Sequence, residues 1–302
     1  MSVPVRHLFR QGPMIATLLR TAARSVRGRI RKVRSELPAL PGPVLDATVP
    51  PRYRRLVDDF IRHVGGDPGW YAGATPPHMF PQWGFPLLAR VLRDVPYDVS
   101  RMLNAGCRLE VRRQLPANEP LLLQARLEEV DDDGRRAIVK QRLVTGTESA
   151  PEALICRVDA IVRLRRSEGG AAKPKPTVPE DARELDRWHL PKRSGLRFAL
   201  LTGDFNPIHW ISLYARLSGF PSVILHGFST MARAVETLNR TLWSGRPECL
   251  QAIEVRFVRP VVLPADVGVY VHGQGDLFVG ESPGATACLT GQYTTCTEND
   301  HG

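Results

Sequence analysis

The 302-residue sequence predicts an α+β fold built from two tandem copies of one unit, each a helix laid against an antiparallel sheet. Three observations predict it. Residues 84–92, Gly-Phe-Pro-Leu-Leu-Ala-Arg-Val-Leu, return as 227–235, Gly-Phe-Ser-Thr-Met-Ala-Arg-Ala-Val, at an offset of 143. Leu109-Glu110-Val111-Arg112 returns as Ile253-Glu254-Val255-Arg256, and Leu115-Pro116-Ala117 as Leu263-Pro264-Ala265, at offsets of 144 and 148. Matches in the same order with a slowly growing offset describe a duplication with a longer loop in the second copy. Strand-like alternation follows the repeated helix in each copy.

Taken in order, residues 1–45 are a basic segment. They hold nine Lys/Arg and one acid, so they carry +8 of the chain's net +10. Ile15, Leu18, Leu19, Ala22, Val26, Ile30 and Val33 follow helical spacing and form one apolar stripe, with arginines opposite. That pattern suits a helix docked on its own domain. It also suits a surface-lying helix on anionic lipid over residues 14–34, a transit peptide, or a nucleic-acid arm. Residues 46–166 form the first copy, with its helix and strands at 121–127, 137–143 and 154–162. Residues 167–184, with Gly169-Gly170 and Lys173-Pro174-Lys175-Pro176, read as a linker. Residues 185–302 form the second copy. Its helix runs from Gly227 through Leu238 with Phe228, Met231, Ala232 and Val235 on one face. Strands at 252–258, 267–271 and 287–293 follow. The two sheets are expected to join edge to edge, which removes an exposed edge.

Composition excludes several classes. With 43% hydrophobic and 24% charged residues the chain is globular rather than disordered. No apolar run reaches the ~18–20 residues of a membrane span, and no secretory leader pattern opens the chain. Five scattered cysteines without a C-x-x-C pair point to reduced thiols in a cytoplasmic protein. Outside the basic segment the chain is close to neutral, so a broad nucleic-acid surface is not expected. No dinucleotide or phosphate-loop fingerprint is present, and no Cys/His pair has ligand spacing. Neither cofactor nor metal is therefore expected.

The chemistry gathers at the start of the second copy. Thr202-Gly203-Asp204-Phe205-Asn206-Pro207-Ile208-His209 places two titratable groups five residues apart on a turn stiffened by Pro207. Ile224-Leu225-His226-Gly227 then opens a helix whose first N–H groups lack intrahelical partners and suit a developing oxyanion.

These residues resemble the signature of the MaoC-like dehydratases, the (R)-specific enoyl-CoA hydratases also called hydratase 2. The family pattern [ST]-G-D-x-N-P-[ILV]-H, A-x-x-x-G-F and I-x-H-G is met by residues 202–209, Ala215 to Phe220 and Ile224 to Gly227. The resemblance implies a double hot-dog fold, two antiparallel sheets each wrapped round a long helix as a pseudo-dimer, with a degenerate first copy. It implies reversible hydration of a trans-2-enoyl thioester to an (R)-3-hydroxyacyl thioester, by a hydro-lyase of fatty-acid or related lipid metabolism. Asp204 and His209 would activate water, and the Gly227 N–H would hold the thioester oxygen. Asn206 and His226 would line the substrate site. Trp83 stands where His226 stands in the repeat; it and Phe85 would face the acyl tail or simply fill the core. The substrate would arrive on CoA or an acyl carrier protein, met by exposed arginines, at a monomeric pseudo-dimer or a homodimer. The family's acid or Asn two residues past the histidine is Ile211 here, which bears on loop geometry. A hot-dog thioesterase and a non-catalytic acyl-thioester-binding or membrane-associated protein are the alternatives.

Overall fold

Ten strands make one antiparallel sheet whose order repeats itself about its middle. The structure, a computed structural model, describes residues 3–12, 14–17, 36–99, 102–164 and 174–296. The first copy runs β1 (Leu45–Val49), α1 (Arg54–Val64), β2 (Ala74–Thr75), α2 (Pro81–Val91), β3 (Leu103–Val111), β4 (Leu115–Pro116), β5 (Leu121–Asp132), β6 (Arg136–Gly146) and β7 (Leu154–Arg163). The second runs β8 (Arg183–Leu190), α3 (Ser194–Thr202), α4 (Ser212–Leu217), α5 (Gly227–Thr241), β9 (Leu250–Phe257), β10 (Ala265–His272), β11 (Asp276–Gly280) and β12 (Leu289–Thr295). Across the sheet the order is β1-β5-β6-β7-β3-β9-β12-β11-β10-β8. Each copy thus contributes five strands in the same arrangement, and β1 answers to β8 as β3 answers to β9.

The repeated sequence lies on the seam. Leu109 of β3 pairs with Ile253 of β9, Cys107 with Val255, and Arg108 with Glu254. Leu109 and Ile253 are fully buried. Their neighbours Arg108, Glu110 and Glu254 make ion pairs on the opposite face. That is the alternation a half-buried strand requires. Edge-to-edge joining of the copies, expected from the sequence, is therefore what the sheet shows, and one continuous core spans both copies.

The structure corrects three details. β8 begins at Arg183, inside the span read as linker, and Val178 is buried with its N–H on Ala285 O and its O accepting from Gly284. Backbone pairing to the second copy orders that segment despite its Pro-rich start. α5 is also not amphipathic in the expected way. Glu236, Thr237 and Asn239 are as buried as Met231 and Val235. The Tyr71 hydroxyl donates to Glu236 at 2.9 Å, and His78 Nε2 lies 3.2 Å from it. The helix is enclosed by the sheet and by segments of the first copy, so Glu236 meets its polar partners inside the protein rather than in water. The third correction concerns the first copy's helix, which starts at Pro81, three residues before Gly84.

The basic segment is docked where it is described. His7, Gln11 and Met14 are buried, and His7 Nε2 lies 2.7 Å from Asp59 of α1. Most of the apolar stripe, and with it a lipid contact over 14–34, falls on residues 18–35, outside the described residues. No described helix is long and apolar enough to cross a membrane.

Leu109→Ala, at the seam, is expected to cost about 2–5 kcal/mol. Because the sheet and core are shared, tryptophan fluorescence and far-UV circular dichroism should report one coincident urea transition for both copies.

Candidate active site

The turn between α3 and α4 holds Asp204 and His209, and its shape follows from its residues. α3 ends at Thr202 and Gly203 takes the left-handed conformation at φ 82°, a value that favours glycine. Asp204 follows, and its Oδ1 accepts from the Asn206 N–H at 3.3 Å. Asn206 Oδ1 in turn accepts from the Ile208 N–H, capping the short 3₁₀ helix Pro207–His209. The Asn206 side chain thus acts on the turn through this cap.

His209 is tied down from both sides. Its Nδ1–H donates to Ile224 O at 2.8 Å, and the Ile224 N–H returns a bond to Ile208 O. The 223–225 strand is itself pinned to residues 261–263. Beneath His209 lies Gly195, where any side chain would run into the His209 carbonyl. With Nδ1 spent as a donor, the His209 Nε2 lone pair is the free one.

His226 stacks on His209, ring centroids 3.5 Å apart and 22° from parallel. Its Nε2–H donates to Asp204 O at 2.9 Å, and the same nitrogen lies 3.9 Å from Asp204 Oδ2. His226 thereby holds the backbone of the residue that carries the carboxylate. Burial pushes His209 down to about 3, with His226 adding to it and Asp204 opposing. Burial also pushes His226 down to about 4. Both rings are neutral at physiological pH, which the tautomers above require.

Gly227 opens α5, and no acceptor for its N–H is found among the described residues. In the repeat, the Gly84 N–H donates to Phe80 O at 2.8 Å because α2 starts one turn earlier. The duplicated glycines therefore differ chemically: one offers a donor at a helix start and the other has spent it. The ring of Phe257 stands 2.9 Å from where a Gly227 Cβ would lie. An aromatic series runs from there into the first copy: Phe257 to Phe228 at 5.4 Å, and Phe228 to Phe85 at 5.3 Å.

The structure brings Asp204, His209, His226 and Gly227 together, with Asn206 behind the carboxylate and Phe85 reached through Phe228. Trp83 is not part of this group. It is 2% exposed and its Nε1 donates to Thr145 Oγ1, so it belongs to the first copy's core. Ile211 starts α4 with its N–H on Pro207 O. Two contributors escaped the sequence reading, Gly195 and Phe257. The signal for Gly195 was present, since a glycine near the start of the apolar run Leu196 to Leu201 is costly in a helix without a packing reason. Asp204, His209 and His226 also have donor atoms within 4.8 Å of one another. Two of the imidazole nitrogens there already donate to backbone oxygens.

Between the ordinary histidine value near 6.5 and about 4, the unfolded chain takes up protons that the folded rings refuse. Stability therefore falls on acidification through that window, on the order of 1 kcal/mol per pH unit for each ring. Thermal unfolding from pH 7 to 4.5 should show it, with a shallower slope in His226→Gln. Gly227→Ala should cost about 1–3 kcal/mol by pressing on Phe257.

Residues 174–285 match the MaoC like domain family. The chain is 27% identical over 179 residues to the peroxisomal enoyl-CoA hydratase 2 of Arabidopsis thaliana, covering 55% of this chain and 58% of that one. It is 28% identical over 188 residues to 3-hydroxyacyl-thioester dehydratase X of Mycobacterium tuberculosis, covering 61% and 63%. The matches thus span less than two thirds of either relative's length. In three dimensions the chain is similar to the crystal structure of HtdX from Mycobacterium tuberculosis. The TM-score is 0.69 at 22% identity, over 84% of this chain and 99% of that one. A second Mycobacterium tuberculosis protein, whose structure is described as a double hotdog fold, is also similar, with a TM-score of 0.56 at 14% identity over 85% of this chain and 96% of that one. These likenesses show the double hot-dog fold.

Proposed function

We propose that this chain, a double hot-dog member of the MaoC-like dehydratase family, reversibly hydrates a trans-2-enoyl thioester to an (R)-3-hydroxyacyl thioester. The observation that carries the reading is the convergence of a carboxylate, a neutral histidine with a free Nε2 and an unspent helix-start N–H. The names of the relatives, an enoyl-CoA hydratase and a 3-hydroxyacyl-thioester dehydratase, support it.

In the hydration direction, Asp204 and His209 hold a water between them. His209 Nε2 takes a proton as the water oxygen bonds to C3. The C2=C3 electron pair moves onto the thioester oxygen, where the Gly227 N–H stabilises the enolate. C2 then takes the proton back from His209, which restores the thioester carbonyl and the neutral ring. A positioned acid–base pair contributes about 10²–10⁴-fold, and one oxyanion donor about 3–4 kcal/mol. A buried, water-poor setting strengthens both. Asn206 shapes the Asp204 turn, and the Phe257–Phe228–Phe85 series offers an apolar surface for the acyl chain. The handle is CoA or an acyl carrier protein. The cytoplasmic location rests on five unpaired cysteines; the Arabidopsis relative's name carries the word peroxisomal.

The test follows the ultraviolet absorbance of the enoyl thioester with trans-2-enoyl-CoAs of increasing chain length. Absorbance should disappear without release of free thiol. Asp204→Asn and His209→Gln should each reduce kcat/KM by about 10²–10⁴-fold while leaving folding intact. Free thiol would show a thioesterase instead, and binding without turnover a carrier. With His209 already neutral, kcat/KM should show no acid limb from this group between pH 7 and 5.

A further inference from the structure

The residue most exposed to scrutiny by its surroundings is Gln11, a polar side chain only 1% exposed. It lies in the basic segment, outside the duplicated copies, and every polar atom of its amide is committed. Gln11 Nε2 donates to Leu200 O at 3.1 Å and to Leu201 O at 2.9 Å. These are carbonyls in the last turn of α3, which no intrahelical N–H serves. Gln11 Oε1 accepts from Gln82 Nε2 at 3.2 Å, and Gln82 Oε1 accepts from Arg52 Nη1 at 3.1 Å. One amide therefore joins three parts of the chain: the N-terminal segment, α2 of the first copy and the end of α3. Donor and acceptor demands allow a single orientation of both amides.

The end of α3 leads directly into Gly203 and Asp204. The N-terminal segment reaches that point as well, since a Cβ on Gly203 would lie 2.7 Å from Met14 Cβ and 3.0 Å from Gln11 Oε1. Met14 is 5% exposed. The Asp204 turn is thus held from two directions: His226 binds the Asp204 carbonyl on the core side, and Gln11 with Met14 backs Gly203 on the other.

We infer that Gln11 is a positioning residue for the reaction, which clamps the end of α3 so that the Asp204 carboxylate is presented to His209 and to substrate. The inference rests on the hydratase reading for its consequence, but its geometry does not. By it, the N-terminal segment is a working part of the second copy's site. A displacement of about 1 Å in a catalytic group costs up to 10²-fold in rate, far more than its cost in binding.

The test uses the full chain with Gln11→Glu, which keeps the size of the side chain and removes its donors, and with Gln11→Met, which removes all polarity. Both are first checked by circular dichroism and thermal unfolding. Supporting the inference, kcat falls roughly ten- to hundredfold with KM within about threefold. A second readout needs no turnover: the His226 ring, titrated by NMR, moves toward the ordinary histidine value as the Asp204 turn loosens. If wild type turns over no enoyl thioester, the hydratase reading fails and the NMR titration still decides this one. Folded variants with wild-type kcat, or with an unmoved His226 where there is no turnover, overturn it. Should neither fold, Gln82→Met, which removes the donor to Gln11 and the acceptor for Arg52 but leaves Gln11 its own bonds to α3, is read in the same way. Failure of all three to fold also overturns the inference, because the amide would then be a structural support alone.

Discussion

The antiparallel pairing of β3 with β9 is the constraint from which the rest of this structure follows. Each copy alone would present an open strand edge and one uncovered end of its core. Joining Leu109 to Ile253 and Cys107 to Val255 closes both edges at once. It also sets α5 against segments of the first copy, which is why Glu236 can be buried at all. Its partners Tyr71 and His78 come from the other half of the chain. A buried carboxyl is tolerated where such partners are already fixed in place.

The same seam makes room for asymmetry. Two copies of one sequence share the sheet, yet among the described residues the repeated glycine N–H finds an acceptor in the first copy and none in the second. The difference comes down to where a helix starts. Pro81 lets α2 begin one turn early, so the N–H of Gly84 is consumed by Phe80. His226 precedes α5 in extended conformation, so the N–H of Gly227 is left over. His226 thus does two things: it precedes α5 in extended conformation and it fastens the Asp204 backbone. Its neutrality at ordinary pH follows from burial in a stack with His209, and a neutral stack is what lets His209 Nε2 act as an acceptor.

Much of this was legible in one dimension. The duplication could be read because the seam and the helix starts are where both copies needed the same residues, so Leu109-Glu110-Val111-Arg112 and Ile253-Glu254-Val255-Arg256 stayed alike. Asp204, His209 and Gly227 could be read because a stiff turn and a helix start are local objects with local signatures. Strands β1 and β11 were not read: both are only five residues long, and β1, though it alternates, sits where the basic segment meets the first copy. The enclosure of α5 was also missed, since its moment points to one apolar face while its polar side meets residues some 160 positions away in sequence.

By itself, then, the sequence determined the two-copy α+β architecture, the edge-to-edge joining of the copies and the residues of the stiff turn 202–209. All of these are written in short stretches of adjacent residues. The tertiary structure alone decided which nitrogen of each histidine is free, that Trp83 is core while Phe85 packs on Phe228, and that Gln11 binds the end of α3 beside Gly203. Each of those depends on which distant atom arrives within about 3 Å, the reach of a hydrogen bond. No local pattern along the chain encodes such an arrival.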